Sequence, residues 1–201
     1  MKILAISCSP RKQGNTEILL GEALKGAQYE GAEVELFSVA GKAIAPCDAC
    51  DSCRKKGVCH IKDDMQELYD KMLEADGIIF GTPIYFYNMA AQCKAVMDRT
   101  IALNHPEKNL ANKVGGIVVV AASLGNIDAV KDLYFYFVSR RMLAASYVAA
   151  YGMAKGDVKS LEKCMKAAYD LGRQVARLAA MDFKYPSDLM LPSIAYGTHT
   201  R

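Results

Sequence analysis

Residues 2–16 read Lys2-Ile3-Leu4-Ala5-Ile6-Ser7-Cys8-Ser9-Pro10-Arg11-Lys12-Gln13-Gly14-Asn15-Thr16. The first six form a nearly continuous apolar run of strand length, the character of a strand covered on both faces. A polar turn follows and leads into a segment of helical period. Such a turn offers an anion the hydroxyls of Ser9 and Thr16, the Asn15 amide, the Arg11 guanidinium, a glycine at 14 for close backbone approach, and the unpaired amides of a helix N-terminus. That set suits a phosphate monoester. The turn lacks the G-K-[ST] ending of a Walker loop and the G-x-G-x-x-G dinucleotide fingerprint. Asn15 or Thr16 is also expected to cap the helix.

The same alternation continues along the chain. Strand candidates at 2–7, 33–38, 77–81, 114–122 and 147–151 are rich in Ile, Val, Leu, Ala and Phe. Between and after them lie helix candidates at 16–28, 65–75, 90–103, 127–143 and 159–181. A β-α register repeated five times predicts an α/β fold: a five-stranded parallel sheet between two helical layers, in order 2-1-3-4-5. That order places a ligand crevice at the carboxyl ends of strands one, three and four.

Composition narrows the function. The 201 residues suffice for one domain with a sizeable core, 52% are apolar and 23% charged. A net charge of +3 without a basic stripe gives nucleic-acid binding no support. No apolar run approaches the roughly 20 residues of a bilayer span. Met1 leads straight into a strand, leaving no room for a targeting segment, so the expected location is cytoplasmic.

Two further stretches carry chemistry. Thr82-Pro83-Ile84-Tyr85-Phe86-Tyr87-Asn88-Met89 follows the third strand. There it can present flat side chains and backbone amides to a planar heterocycle, or cover the core or a second subunit. Cys47, Cys50, Cys53 and Cys59 are spaced C-x2-C-x2-C-x5-C. Three thiolates on one tight loop can surround a face of an iron-sulfur cube, with Cys59 closing the fourth corner. Structural zinc is the rival, with His60 able to replace Cys59. Disulfides fit badly, because the cysteine total of seven is odd and adjacent C-x-x-C pairs in a cytosolic chain favour metal or redox chemistry.

Ser9-Pro10-Arg11 with Gly14-Asn15-Thr16, Thr82-Pro83-Ile84-Tyr85, the helix bearing Lys94, Asp98 and Arg99, and the cysteine cluster together resemble one family. It is the iron-sulfur flavoprotein branch of the flavodoxin-like, NADPH-dependent FMN reductase superfamily, and the likeness spans roughly the first two-thirds of the chain. The resemblance implies a flavodoxin-like three-layer sandwich. It also implies FMN on the loops after strands one and three, a [4Fe-4S] cluster on Cys47, Cys50, Cys53 and Cys59, and homodimers or tetramers that join cluster and flavin across subunits. By position, Ser9, Arg11, Asn15 and Thr16 would hold the phosphate, and Pro83, Ile84, Tyr85, Tyr87 and Asn88 would line the ring. Ser123 and Gly125, after strand four, complete the expected cofactor contacts.

The implied function is a flavin-dependent oxidoreductase. It would pass electrons from a one-electron donor such as ferredoxin through the cluster to FMN and on to a small acceptor, with no side chain acting as a strong acid or base. An NAD(P)H-dependent FMN or quinone reductase with the cysteines free or on zinc is the alternative, and a non-enzymatic flavin redox sensor is a third reading. Arg54, Lys55 and Lys56 can steer an acidic donor or form a solvated turn.

Other residues read as structural. Lys94, Asp98 and Arg99 suit ion pairs, and Asp64-Met65-Gln66-Glu67 suits a capping box on the second helix. Cys8, Cys93 and Cys164 read as core, with Cys8 nearest the flavin. His105 and His199 have no catalytic partner at a telling spacing. Tyr134-Phe135-Tyr136-Phe137 is too aromatic for one buried face, so part of it is expected to meet a partner or the flavin. The flavodoxin-like domain is expected to span 1–180, with the cysteine loop inserted at 46–60, and 181–201 to form a C-terminal arm with Pro186 and Pro192.

Overall fold

Strand β1 (Lys2–Ser7) sends Ile3 and Ala5 to one side of a sheet and Leu4 and Ile6 to the other, all fully buried. The period-2 alternation of a strand, applied to an all-apolar segment, needs cover on both faces. That cover defines the architecture. The computed structural model describes residues 1–104 and 109–187.

The parallel strands are β1, β2 (Glu33–Ser38), β3 (Gly77–Tyr85), β5 (Val114–Ala121) and β6 (Leu143–Tyr151), with a two-residue β4 (Asn88–Met89). Their order is β2-β1-β3-β5-β6, and β4 returns antiparallel along the end of β3. Counted over the parallel strands alone, this is the expected 2-1-3-4-5. The fifth strand is longer than expected and pairs with β5 from Val114–Leu143 to Ala121–Tyr151.

Helices α1 (Asn15–Tyr29) and α6 (Glu162–Ala180) cover one face, where Leu19, Leu20, Leu171 and Val175 meet Ile3, Ile79 and Val118. The buried stripe of α1, Thr16, Leu19, Leu20, Ala23, Leu24 and Ala27, has helical spacing. The two helices touch backbone to backbone, since a Cβ at Gly172 would fall 1.7 Å from the Ala23 carbonyl oxygen. The other face is covered by α3 (Met65–Glu74), α4 (Ala91–Arg99) and α5 (Asn126–Ser139). A single helical turn, α2 (Ser52–Lys56), lies in the cysteine loop.

Several local expectations are corrected. The aromatic stretch 82–89 is a hairpin rather than a loop, with Phe86 and Tyr87 at its tip in left-handed backbone (φ 46° and 68°). Helix α4 ends at Arg99 and tightens into a 3-10 turn, Thr100–Leu103, where the Thr100 hydroxyl donates to the Met97 carbonyl. Neither Asn15 nor Thr16 caps α1, because Gly14 holds the N-cap position without a side-chain bond.

The Asp64 capping box does not form either: Asp64 accepts from the Ala43 amide, and Glu67 pairs with Lys42 and Lys71. Instead Asp63 accepts from the Met65 amide at 3.1 Å. Of the aromatic run in α5, Tyr136 and Phe137 are buried while Phe135 is 74% exposed. Cys8 is buried against Cys93, whose hydrogen bonding, together with burial, pushes the Cys8 thiol pKa up. Among the described residues no helix is long and apolar enough to cross a membrane. His105, His199 and residues 188–201 of the expected arm lie outside the described residues.

Candidate functional site

The carboxyl ends of β1, β3, β5 and β6 frame two concavities that share Ile84 and Ala122. The first, of about 140 Å³, is lined by Ser9, Arg11, Gly14, Asn15, Thr16, Pro83, Ile84 and Tyr85. Its floor is the first turn of α1, whose leading amides have no intrahelical partner and no side-chain cap. The turn before it is self-braced: the Ser9 hydroxyl accepts from the Arg11 amide at 3.1 Å, and the Gln13 amide donates to Glu17 at 2.5 Å.

Gly152, Met153 and Lys155 complete the wall, contacts absent from the sequence reading. Arg11 Nη1 donates to the Met153 carbonyl at 3.2 Å. The Asn15 amide donates to the Ala154 carbonyl and accepts from the Gly156 N–H, each at 2.8 Å. Asn15 thus ties the helix start to the loop after β6 and brings Lys155 to the cavity. A guanidinium, an ammonium, a hydroxyl and an uncapped helix N-terminus make a donor set matched to a phosphate.

The second concavity, of about 270 Å³, is lined by Ile84, Phe86, Tyr87, Ala122, Ser123 and Leu124. The hairpin tip stands out of the surface there, with Phe86 97% exposed. Gly125, at φ +98°, lies under the tip rather than on the wall. Asn88 is not on the wall either, since its amide donates to Asp132 Oδ2 at 2.9 Å and accepts from the Met89 N–H at 2.6 Å. Next to Gly125, both side-chain amide atoms of Asn126 are buried without a partner among the described residues. An apolar slot flanked by aromatic rings and continuous with a phosphate cradle accommodates a flat phosphorylated heterocycle. The residues present therefore fit FMN.

The four cysteines converge on a third concavity, of about 360 Å³, shared with Asp48, Asp51, Arg54, Ile61, Asp98, Arg99 and Ile101. Cys47 and Cys50 are exposed, Cys53 and Cys59 are half-buried, and all four are free thiols. Left-handed backbone at Ala49, Asp51 and Gly57 (φ 58°, 57° and 65°) folds the short segment back repeatedly around this concavity. His60 Nε2 lies 2.7 Å from Asp48 Oδ2. The Cys50 thiol, and then His60, hold the Asp48 carboxyl below the usual carboxylate range.

A tetrahedral zinc site with Zn–S of 2.3 Å draws its sulfurs to about 3.8 Å from one another. Among the described residues the one group of three potential ligands within 4.8 Å is Asp48, Cys50 and His60, not three of the cysteines. Four thiols around one concavity offer the donor set of an iron-sulfur cube, and Asp48, Cys50 and His60 offer that of a single small ion. Lys94 and Asp98 pair on the helix surface at 2.6 Å, whereas Arg99 turns inward to Asp63.

A parallel sheet with a phosphate cradle and an aromatic slot at its carboxyl edge defines a flavin-binding protein of the flavodoxin type. The model of the family described as NADPH-dependent FMN reductase matches residues 1–155. An iron-sulfur flavoprotein of Methanocaldococcus jannaschii is 39% identical over 191 residues, covering 90% of this chain and 98% of that one. An iron-sulfur flavoprotein of Archaeoglobus fulgidus is 35% identical over 193 residues, covering 94% and 85%. In structure the chain resembles a flavodoxin from the domain Archaea, with TM-score 0.60, 16% identity, and 90% and 99% of the two chains covered. The chain belongs to the iron-sulfur flavoprotein branch of the NADPH-dependent FMN reductase superfamily, and is a flavin-dependent oxidoreductase.

Proposed function

We propose that the protein transfers electrons between a [4Fe-4S] cluster held by Cys47, Cys50, Cys53 and Cys59 and an FMN held at the carboxyl edge of the sheet. Electrons would come from a one-electron donor of the ferredoxin type and leave to a small acceptor. The observation that carries this reading is the convergence of all four cysteine side chains on one concavity. The relatives from Methanocaldococcus jannaschii and Archaeoglobus fulgidus, both iron-sulfur flavoproteins by name, agree with it.

When bound, the cluster would supply single electrons and the flavin would gather two for delivery as a hydride equivalent. The chain's own residues bind and orient. Arg11, Lys155 and the α1 N-terminus neutralise the phosphate, with Ser9, Asn15 and Thr16 fixing its place. Pro83, Ile84, Tyr85, Tyr87 and Ser123 bound the ring and exclude water from one side of it. Asn88 and Gly125 act behind this wall, anchoring the hairpin to α5. Arg54, Lys55 and Lys56 give the exposed turn α2 a positive face beside the cysteines, suited to steering an acidic donor.

Helix α4 begins beside the hairpin and ends at the cysteine concavity, and its length separates them by about 12 Å. The exposed Phe86, Tyr87, Leu124, Phe135 and Met153 invite a second copy of the chain, which would cover the ring and bring a second cysteine loop toward it.

Anaerobic purification with iron, acid-labile sulfide, zinc and flavin analysis tests the reading. About four irons and four sulfides with one FMN per chain support it. Zinc or no metal beside FMN would leave the second reading, an NAD(P)H-dependent reductase, which the family description favours.

A further inference from the structure

Arg99 is 1% exposed and heads the large, fully buried side chains of the described residues. A guanidinium taken out of water costs several kcal/mol unless its donors are matched. All five N–H groups of Arg99 are matched. Nη1 donates to Asp63 Oδ2 and to the Ala45 carbonyl, both at 2.8 Å. Nη2 donates to Asp63 Oδ1 at 3.0 Å and to the Ile61 carbonyl at 3.4 Å. Nε donates to the Tyr69 hydroxyl at 3.3 Å, and that hydroxyl donates back to the Arg99 carbonyl at 2.9 Å. Ala45 and Ile61 are the two feet of the segment 46–60 that carries every cysteine of the cluster motif. Asp63 reinforces one foot by accepting from the Ala45 amide at 2.9 Å.

We propose that the Arg99–Asp63 pair is the positioning and potential-setting element of the cysteine site. It fixes the span between the feet of the loop before any cluster binds, and it sets a buried charge pair at the wall of the concavity. This inference rests on the electron-transfer reading given above for the identity of the bound group, but not for the positioning itself.

The two roles separate by charge and by reach. A positive charge beside a cluster favours its reduced, more negative state, and a carboxylate opposes it. Arg99→Met leaves Asp63 as an uncompensated carboxylate, so the cluster potential falls. Asp63→Asn keeps the shape of the side chain and leaves an uncompensated guanidinium, so the potential rises. Arg99→Lys restores the charge but not the fork, because an ammonium presents three donors from one atom and cannot bridge both feet. A purely structural role would move all variants in one direction.

The experiment has two arms. In the first, wild type and the three variants are reconstituted with iron and sulfide, and cluster potentials are read by EPR-monitored titration. The expected order is Asp63→Asn above wild type, Arg99→Lys close to it, and Arg99→Met below. Retention of iron against a chelator falls by about 10–100-fold in Arg99→Met and Arg99→Lys, the range for outer partners of metal ligands. In the second, the cluster-free proteins are alkylated, and Cys53 and Cys59 react faster in both Arg99 variants than in wild type. Shifts of potential in one direction only, or none, overturn the potential-setting role. Unchanged alkylation overturns the positioning role. Failure of wild-type protein to take up iron and sulfide would instead strike the cluster reading, and the alkylation arm would still decide the positioning claim.

Discussion

Gly125 lies directly against the main chain of Tyr87: a Cβ at position 125 would fall 2.4 Å from the Tyr87 carbonyl oxygen. Tyr87 itself holds a left-handed conformation at the hairpin tip, and Gly125 does so at φ +98°. The loop after β5 and the hairpin after β3 are therefore seated on one another, and together they form the slot assigned to the flavin ring.

Gly125→Ala would add backbone strain of about 1–3 kcal/mol and push the hairpin tip away. The core lies elsewhere, so the protein still folds. FMN affinity falls by roughly tenfold or more, equivalent to about 1.4 kcal/mol. Titration of the cluster-free protein followed by flavin fluorescence checks this; unchanged affinity would mean that the ring does not use the hairpin.

The phosphate cradle predicts a split between two ligands. Arg11→Ala and Lys155→Ala each weaken FMN binding by about 10–100-fold, the worth of one charge-assisted hydrogen bond. Riboflavin, which lacks the phosphate, binds these variants as it binds wild type. Equal losses for both ligands would move the phosphate elsewhere.

Asp63 predicts an acid-labile contribution to stability. Burial pushes its carboxyl up, but donation from Arg99 and from the Ala45 and Met65 amides outweighs burial and leaves it below the usual carboxylate range. A depressed carboxylate contributes fully above its unfolded pKa, about 3.9, and the contribution is lost as pH falls through the lower folded value. Tyr69, whose hydroxyl is pushed up by burial, stays neutral across this range. In the cluster-free protein, Asp63→Asn costs roughly 3 kcal/mol at neutral pH. Denaturant melts from pH 7 downward should show that gap constant at first and closing below about pH 4.

The layered fold was legible because β1, β3 and β5 are apolar on both faces and each is followed by a helical stripe. The turn at 8–16 was legible as part of the crevice at the carboxyl edge for the same positional reason. The hairpin was not, because Phe86-Tyr87 carries none of the Asn-Gly or Gly-Gly chemistry that announces a tight turn, its left-handed backbone being held by Gly125 across the fold. Lys155 was missed because the loop after β6 has no motif of its own, and Asn15 holds that loop through the Ala154 carbonyl, 139 residues away. The local spacing of Asp64 and Glu67 suggested a cap. The partnership that matters, Asp63 with Arg99, is 36 residues apart and leaves no periodic trace.

Phe86, at the hairpin tip, and Phe135, on the outer face of α5, stand 97% and 74% exposed. Phe86→Glu and Phe135→Glu should shift the sedimentation profile toward monomer if a second copy covers these two side chains. An unchanged profile would assign the assembly to another surface.

The most direct test of the electron path is anaerobic reduction of FMN-loaded protein by a reduced ferredoxin, with flavin absorbance followed in a stopped-flow instrument. Cys50→Ser, which removes one corner of the proposed cluster and no residue of the flavin site, is compared with wild type. The path predicts rapid flavin bleaching in wild type and loss of that fast phase in the variant, while both hold FMN equally well. Equal bleaching rates in the two proteins would contradict it, because electrons would then reach the flavin without the cysteine centre.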